Sequence, residues 1–274
     1  DGELHVEIKQ TVRGGDVFIL QPTSIPADEH IMELLFLADA CRRAGAARLT
    51  AVMPYFGYAR QDRRADGREA IGAAVVAALV EAAGFSRVVT VDLHSPAIEG
   101  FFRIPVEHLS ATRLLVEGVH PAADAVIVAP DLGAAKLAER YARHLNVSVV
   151  TMHKKRISGS EVELRSIVGN VKDRAPIIVD DMITTGATIE AAANGLLAAG
   201  CQRAISVIAT HGVFAAPAPQ RLEALPIQQL IVTDSVQPAV QPSRLQVVSV
   251  APLIADAIGR LHRGDTLAPL LARA

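Results

Sequence analysis

The sequence is short of several things that would assign it to a class at once. It has only two cysteines, Cys41 and Cys201, at no spacing that suits a metal, and no signal-peptide pattern opens it. A reducing cytoplasm is therefore the expected compartment. It also has no excess of positive charge. Lysine and arginine total 27 against 29 acidic residues, a formal net charge of −2, and there is no basic tail. That speaks against nucleic acid or an anionic membrane as the main partner and leaves small molecules or proteins. Long hydrophobic runs are missing too. The most apolar stretch, "AIGAAVVAALVEAAGF", is rich in alanine and broken by Glu81, well short of a membrane span. No low-complexity linker divides the chain. What is present is a folding composition: 50% hydrophobic and 20% charged residues over 274 positions, enough for one large domain or two ordinary ones.

Along the chain, short Val- and Ile-rich runs recur at 16 to 20, 48 to 53, 87 to 92, 125 to 130, 147 to 152, 176 to 181, 204 to 210 and 228 to 234. Helix-length amphipathic stretches lie between most of them, at 28 to 44, 69 to 83, 110 to 118, 132 to 144 and 187 to 199. Continuous apolar strands alternating with helices predict parallel sheets covered on both faces. The pattern runs through about twice, which predicts two α/β domains joined near residues 109 to 114. Ligands of such sheets bind beyond the carboxyl ends of the strands. Charged and polar groups gather there: Arg60, Gln61, Asp62, Arg63 and Arg64 after one run, Asp92 and His94 after the next, and Asp131 after a third. A single aspartate after a strand is usually a cap or a turn former, but several together are harder to set aside.

The stretch "PIIVDDMITTGATIEAA" is the most informative. It ends a strand on two adjacent carboxylates, Asp180 and Asp181, which can accept from the two hydroxyls of a vicinal diol. The loop Thr184-Thr185-Gly186-Ala187-Thr188 then leads into a helix. Its small residues let backbone N–H groups approach an anion, and the helix N-terminus favours negative charge. A phosphorylated pentose satisfies both halves, whereas an ordinary capped turn leaves the paired acids uncompensated. A second stretch, "HKKRISGSEVE", places Lys154, Lys155 and Arg156 together in a chain with only five lysines. It runs into Ser-Gly-Ser and reads either as a solvated loop or as a mobile cationic loop that neutralises a transferring phosphoryl group.

With these residues in hand a family resemblance emerges. "VDDMITTGATI" resembles the phosphoribosyl-pyrophosphate loop of type I phosphoribosyltransferases. From Asp1 to about Asp265 the chain resembles the ribose-phosphate pyrophosphokinases, through "TVRGGDVFILQ", "MELLFLADACRRAGAARLTAVMPYFGYARQDR", "TVDLHSPAIEGFF", "HKKR" and "ATHGVF". The resemblance implies two tandem type I phosphoribosyltransferase-like, Rossmann-like domains with parallel sheets. Residues 1 to 111 would bind ATP, and 112 to 274 would bind ribose 5-phosphate, with the last helix able to pack back on the first domain. It implies that Arg60, Gln61 and Asp62 bind ATP, joined by Asp1 and Glu3, which in the family reach the adenine of a neighbouring subunit. It associates His94 and Asp131 with Mg²⁺ and the ATP phosphates, although imidazole is a less usual ligand for that ion than oxygen. It assigns transition-state stabilisation to Lys154 and Arg156, and the sugar phosphate to Asp180, Asp181 and Thr184 through Thr188. The implied reaction makes phosphoribosyl pyrophosphate and AMP, in a homo-oligomer of two, four or six chains.

The sequence departs from the family in three places. It starts inside the family's first domain, so part of the neighbour-supplied adenine pocket has no counterpart. It has Thr184 where many members carry an acid. Its tail "GDTLAPLLARA" lacks the serines of the best-known allosteric site, although Arg13 and Arg68 sit where basic residues could serve one. Other readings are a phosphoribosyltransferase that consumes phosphoribosyl pyrophosphate, a non-catalytic regulator of the synthetase, and a scaffold. The first leaves "YARQDRR" and "DLHS" unexplained, and retention of Lys154, Arg156 and the acid pair speaks against the second. The remaining histidines, His5, His30, His108, His120, His144 and His262, read as surface or capping residues. His211 ends a strand without an assignable chemistry.

Overall fold

The computed structural model describes residues 2–64, 66–156, 162–238 and 240–272, apart from the side chains of 154–156 and 162–165. Asp1 and Ile157–Glu161 lie outside the described residues. The chain divides into two compact units: Asp1–Ser110 with Val250–Ala274, and Ala111–Ser249.

In the first unit, β1 (Asp16–Leu20), α1 (Ala27–Arg43), β2 (Arg48–Met53), α2 (Gly72–Ala82), β3 (Arg87–Val91) and β4 (Val106–Leu109) follow one another along the chain. The strands lie in the order β1-β2-β3-β4, every neighbouring pair parallel. The sequence dictates this. After Arg48 every residue of "RLTAVM" is buried, and a strand covered on both faces carries no polar alternation. On α1, Ile31, Leu34, Ala38 and Cys41 form one buried stripe at spacings of three and four. Asp28 and Glu29 in its first turn and Arg42 and Arg43 in its last complement the helix dipole. Leu34, Ala51, Met53, Val80, Val88 and Phe56 share one core, and Phe56 meets Phe102 edge to face with ring centroids 5.8 Å apart. Each large side chain so buried contributes roughly 1.5–3 kcal/mol.

The second unit comprises α3 (Thr112–Glu117), β5 (Ala125–Ala129), α4 (Ala135–Leu145), β6 (Ser148–Arg156), β7 (Val162–Val168), β8 (Ala175–Ile183), α5 (Ala187–Ala198), β9 (Ile205–Gly212), α6 (Ala218–Glu223), β10 (Ile227–Thr233) and β11 (Leu245–Val248). Its sheet runs β11-β10-β9-β8-β5-β6-β7 and is parallel throughout except for β7. β7 pairs antiparallel with β6, with Lys154 opposite Leu164 and Arg156 opposite Val162. This corrects the reading of Lys154 to Arg156 as loop: their backbone belongs to a β-hairpin, because alternation in "VELRSIV" supplies a partner strand. Val128, Ile178, Ile189, Leu196 and Val207 fill the core between sheet and helices.

α7 (Ala251–Arg263) closes the chain and, with the described residues after it, groups with the first unit rather than with residues 112 to 249. Beyond α7, Leu271 bridges Leu109 in antiparallel fashion, Ser110 N–H donates to Leu270 O at 2.9 Å, and Ala272 N–H donates to His108 O at 2.9 Å.

Candidate active site

In the first unit the loop after β2 carries Arg60, Gln61 and Asp62. Thr23, just beyond β1, shapes it. The Gly57 N–H donates to Thr23 Oγ1 at 2.7 Å, and that hydroxyl donates to the Tyr55 carbonyl at 2.8 Å. Only glycine fits at position 57, since a Cβ there would overlap the Thr23 backbone carbonyl. Farther on, the Gln61 N–H donates to Tyr58 O at 2.9 Å and the Gln61 carbonyl accepts from Ala73 N–H at 3.2 Å, which ties the loop to the start of α2. Arg60 and Gln61 present exposed side chains, as does Glu3. Asp62 differs. Its side chain is only 11% exposed, with Arg63 Nε 3.5 Å away.

β3 lies beside β2, and the turn after it holds Asp92, Leu93 and His94. Asp92 is buried and has φ +37°, outside the usual range for a residue with a side chain. Its N–H donates to Leu109 O at 2.9 Å. The Leu93 N–H donates to Nε2 of His108, a buried residue of β4, at 2.8 Å, and Nδ1 of that ring lies 3.0 Å from Glu99 Oε1. His94 is exposed at the tip.

In the second unit β8 delivers Asp180 and Asp181, both half-buried. Asp181 N–H donates to Asp180 Oδ1 at 3.0 Å. Burial holds the Asp180 carboxyl well above the usual carboxylate range, and the charges of Asp181 and Asp131 push it further the same way. Asp131 reaches this neighbourhood because β5 pairs directly with β8, Val128 opposite Ile178. Its Oδ1 also accepts from Ala134 N–H at 3.2 Å, at the start of α4.

After β8 the loop turns at Gly186, whose φ of +75° suits glycine and which, as the residue that starts α5, carries no side chain to cap it. α6 supports the turn from beneath: a Cβ on Gly186 would sit 3.5 Å from the Ala218 Cα, and Arg221 Nη1 donates to the Thr185 carbonyl at 3.1 Å. Arg221 Nε also lies 3.4 Å from Glu190 Oε2 on α5. Thr184, Thr185, Gly186, Ala187 and Thr188 therefore line one turn at the mouth of the acid pair, while the side chains of Lys154 and Arg156 fall outside what the structure describes.

Among the described residues no three His, Cys, Asp or Glu side chains converge as a ready-made metal cage. The donor set nonetheless suits a hard divalent cation. Asp180, Asp181 and Asp131 lie near one another at adjacent strand ends, and Mg²⁺ characteristically takes one or two carboxylates and completes its shell with water and substrate phosphates.

Comparison with known proteins decides the family. Residues 1–84 match the family model of the N-terminal domain of ribose phosphate pyrophosphokinase, and residues 163–272 match the phosphoribosyl synthetase-associated domain. The ribose-phosphate pyrophosphokinase of Caldanaerobacter subterraneus subsp. tengcongensis is 42% identical over 98% of this chain and 87% of its own length. That of Clostridium perfringens is 42% identical over 98% and 86%. The crystal structure of phosphoribosylpyrophosphate synthetase from Mycobacterium smegmatis superposes with a TM-score of 0.88 at 40% identity, covering 96% of this chain and 88% of that one. The chain belongs to the ribose-phosphate pyrophosphokinase family. Its α/β fold, with tandem phosphoribosyltransferase-like sheets, agrees with the expectation from sequence.

Sequence reasoning about this ribose-phosphate pyrophosphokinase relative missed four residues that shape the site. Thr23 and Gly57 fix the loop of Arg60 and Gln61, Arg221 supports the loop of Thr185, and His108 was taken for a surface or capping residue although it is buried. His211 is likewise buried, its Nδ1 2.7 Å from Ser235 Oγ, which makes it part of a polar network with Thr210 and Thr233 at the ends of β9 and β10. Only the Gly in "PYFGYARQD" offered a local signal. Partners from distant strands offered none.

Proposed function

We propose that the chain transfers the diphosphoryl group of ATP to the anomeric hydroxyl of ribose 5-phosphate, giving 5-phosphoribosyl 1-pyrophosphate and AMP. The observation that carries this reading is the pair Asp180 and Asp181 at the end of β8, followed by a small-residue turn that starts α5 at Gly186, in a chain 42% identical to ribose-phosphate pyrophosphokinases along 98% of its length.

The sugar's two ring hydroxyls donate to Asp180 and Asp181. A carboxyl whose charged form is disfavoured by burial gains most from such donors. The 5-phosphate sits on the N–H groups of Thr184 through Thr188 and the start of α5. Arg60, Gln61 and Asp62 hold ATP, and Asp1 and Glu3 reach the adenine of a neighbouring subunit. The anomeric oxygen bonds to the β-phosphorus as the bond from that phosphorus to the oxygen it shares with the α-phosphate breaks. AMP leaves with the electron pair, and the hydroxyl proton passes to water. Lys154 and Arg156 spread the charge that develops on the transferring group, so positioning and neutralisation supply most of the rate. Mg²⁺ would screen phosphate charge when bound, with His94 of the first unit and Asp131 of the second each a candidate to hold it or its phosphates.

Release of AMP from ATP and ribose 5-phosphate with no nucleobase present tests the proposal. One AMP should appear for each phosphoribosyl pyrophosphate. A chain that makes none, or that turns over only when a nucleobase and phosphoribosyl pyrophosphate are supplied, is not this enzyme. We include a homo-oligomer in the proposal. Met32 and Phe36 on α1, and Val75 and Leu79 on α2, are exposed at i, i+4 spacing, an apolar face suited to a second copy. Sedimentation velocity that finds only monomer at micromolar concentration would remove that part. Among the described residues no helix is long and apolar enough to cross a membrane; the proposal also places the reaction in the cytoplasm.

A further inference from the structure

We propose that His108 is a positioning residue for the ATP side of the reaction: its ring accepts the Leu93 N–H and so fixes the turn that presents His94. The inference rests on the reaction proposed above.

The tautomer follows from the contacts. A backbone N–H can only donate, so Nε2, 2.8 Å from Leu93 N, must offer its lone pair. The ring's one proton then lies on Nδ1, 3.0 Å from Glu99 Oε1, which accepts it. Glu99 belongs to the 3-10 turn Pro96–Phe101, so one imidazole ties the turn after β3, the 3-10 turn and β4 together. β4 takes two successive donors of the turn, Asp92 N–H on the Leu109 carbonyl and Leu93 N–H on the His108 ring. Both donors are buried, with Asp92 5% and Leu93 7% exposed, and water is a poor substitute there.

The turn needs holding. Asp92 at φ +37° is in a conformation that persists only where the surroundings impose it. His94 follows one residue after the clamped Leu93 and is exposed, in the turn after β3, the strand next to the one that leads to Arg60 and Gln61. A slack turn would displace His94 while leaving the ribose 5-phosphate loop of the second unit alone. A mere core filler would produce no such selectivity.

Two substitutions separate the two hydrogen bonds. In His108→Gln the amide oxygen can occupy the place of Nε2 and accept from Leu93. In His108→Asn the amide can reach only the place of Nδ1, toward Glu99. Calorimetric binding of MgATP in the absence of ribose 5-phosphate gives the readout, with ribose 5-phosphate binding as the control. His108→Ala and His108→Asn should weaken MgATP binding roughly 10- to 100-fold, the range seen when a residue that orients a ligand-binding group is lost. Ribose 5-phosphate binding should stay within about twofold of wild type, and His108→Gln should remain within several-fold for both ligands. The proposal is overturned if Asn performs as well as Gln, if Ala leaves MgATP binding unchanged, or if both ligands weaken together. Should His108→Ala fail to fold, nitrogen-15 NMR of the wild-type ring decides instead: a proton on Nδ1 supports the clamp, and a proton on Nε2 overturns it. A wild-type protein that shows the binding pattern yet makes no phosphoribosyl pyrophosphate would refute the reaction and leave the positioning role standing.

Discussion

Replacing Gly57 with alanine should damage ATP use before it damages anything else. The added methyl has nowhere to go. It would overlap the Thr23 backbone carbonyl and lie 3.2 Å from Thr23 Oγ1 and 3.3 Å from Thr23 Cβ, all belonging to a fully buried residue. Relief requires the loop to lift off, which stretches the 2.7 Å bond from Gly57 N–H to Thr23 Oγ1. Overpacking of this kind costs about 1–3 kcal/mol. The weakened hydrogen bond adds roughly 1 kcal/mol. At ~2–4 °C per kcal/mol for a protein of this size, the melting temperature should fall by roughly 5–15 °C. Gln61 N–H is bonded to the Tyr58 carbonyl on the same loop, so Arg60 and Gln61 move with it. A displacement near 1 Å at a binding group can cost ~10²-fold, so KM for ATP should rise at least about 10-fold while KM for ribose 5-phosphate changes little. Differential scanning calorimetry and steady-state kinetics with each substrate varied would measure both. A variant that melts within 2 °C of wild type and keeps its ATP KM would refute the steric reasoning.

Three further substitutions probe the second unit and its hairpin. Asp180→Asn should stabilise the ligand-free protein at neutral pH while abolishing useful affinity for ribose 5-phosphate. Because the folded state raises the Asp180 pKa, this group's contribution is complete below its unfolded value, about 3.9, and is lost as pH rises through the folded value. The gain in melting temperature over wild type should therefore be larger at pH 8 than at pH 5, and a gain that shrinks with rising pH contradicts the assignment. Lys154→Ala should lower kcat by at least roughly 10²–10³, read in the AMP-release assay; a loss of only a few-fold would exclude Lys154 from transition-state stabilisation. Arg221→Ala removes a donor to the Thr185 carbonyl and should raise KM for ribose 5-phosphate by roughly 3- to 10-fold, with the ATP KM steady. A shift in the ATP KM instead would mean that Arg221 does not act through the loop.

The sequence made the central strands readable because burial on both faces leaves an unmistakable apolar run, as in "AVIVAP" and "PIIVDD". β4, β7 and β11 escaped for the opposite reason. "VEHL" and "LQVV" are four residues each at sheet edges, and β7 alternates apolar with charged residues in a stretch that resembled loop. α6 is six residues long with prolines at its start, too short for a helical period to register. The acid pair and its turn were legible as chemistry because all their parts are contiguous. His108, Thr23 and Arg221 were not, since each acts on a partner 15 to 36 positions away and nothing local distinguishes it.

The first unit is interrupted in the chain: its last helix and the bridge from Leu271 to Leu109 follow the whole of the second unit. During synthesis the interrupting unit can finish folding on the ribosome while its host still waits for α7 to emerge. An affinity tag or trimmed end placed after α7 therefore acts on the first unit, where Ala272 N–H holds the His108 carbonyl, and leaves the second to assemble normally.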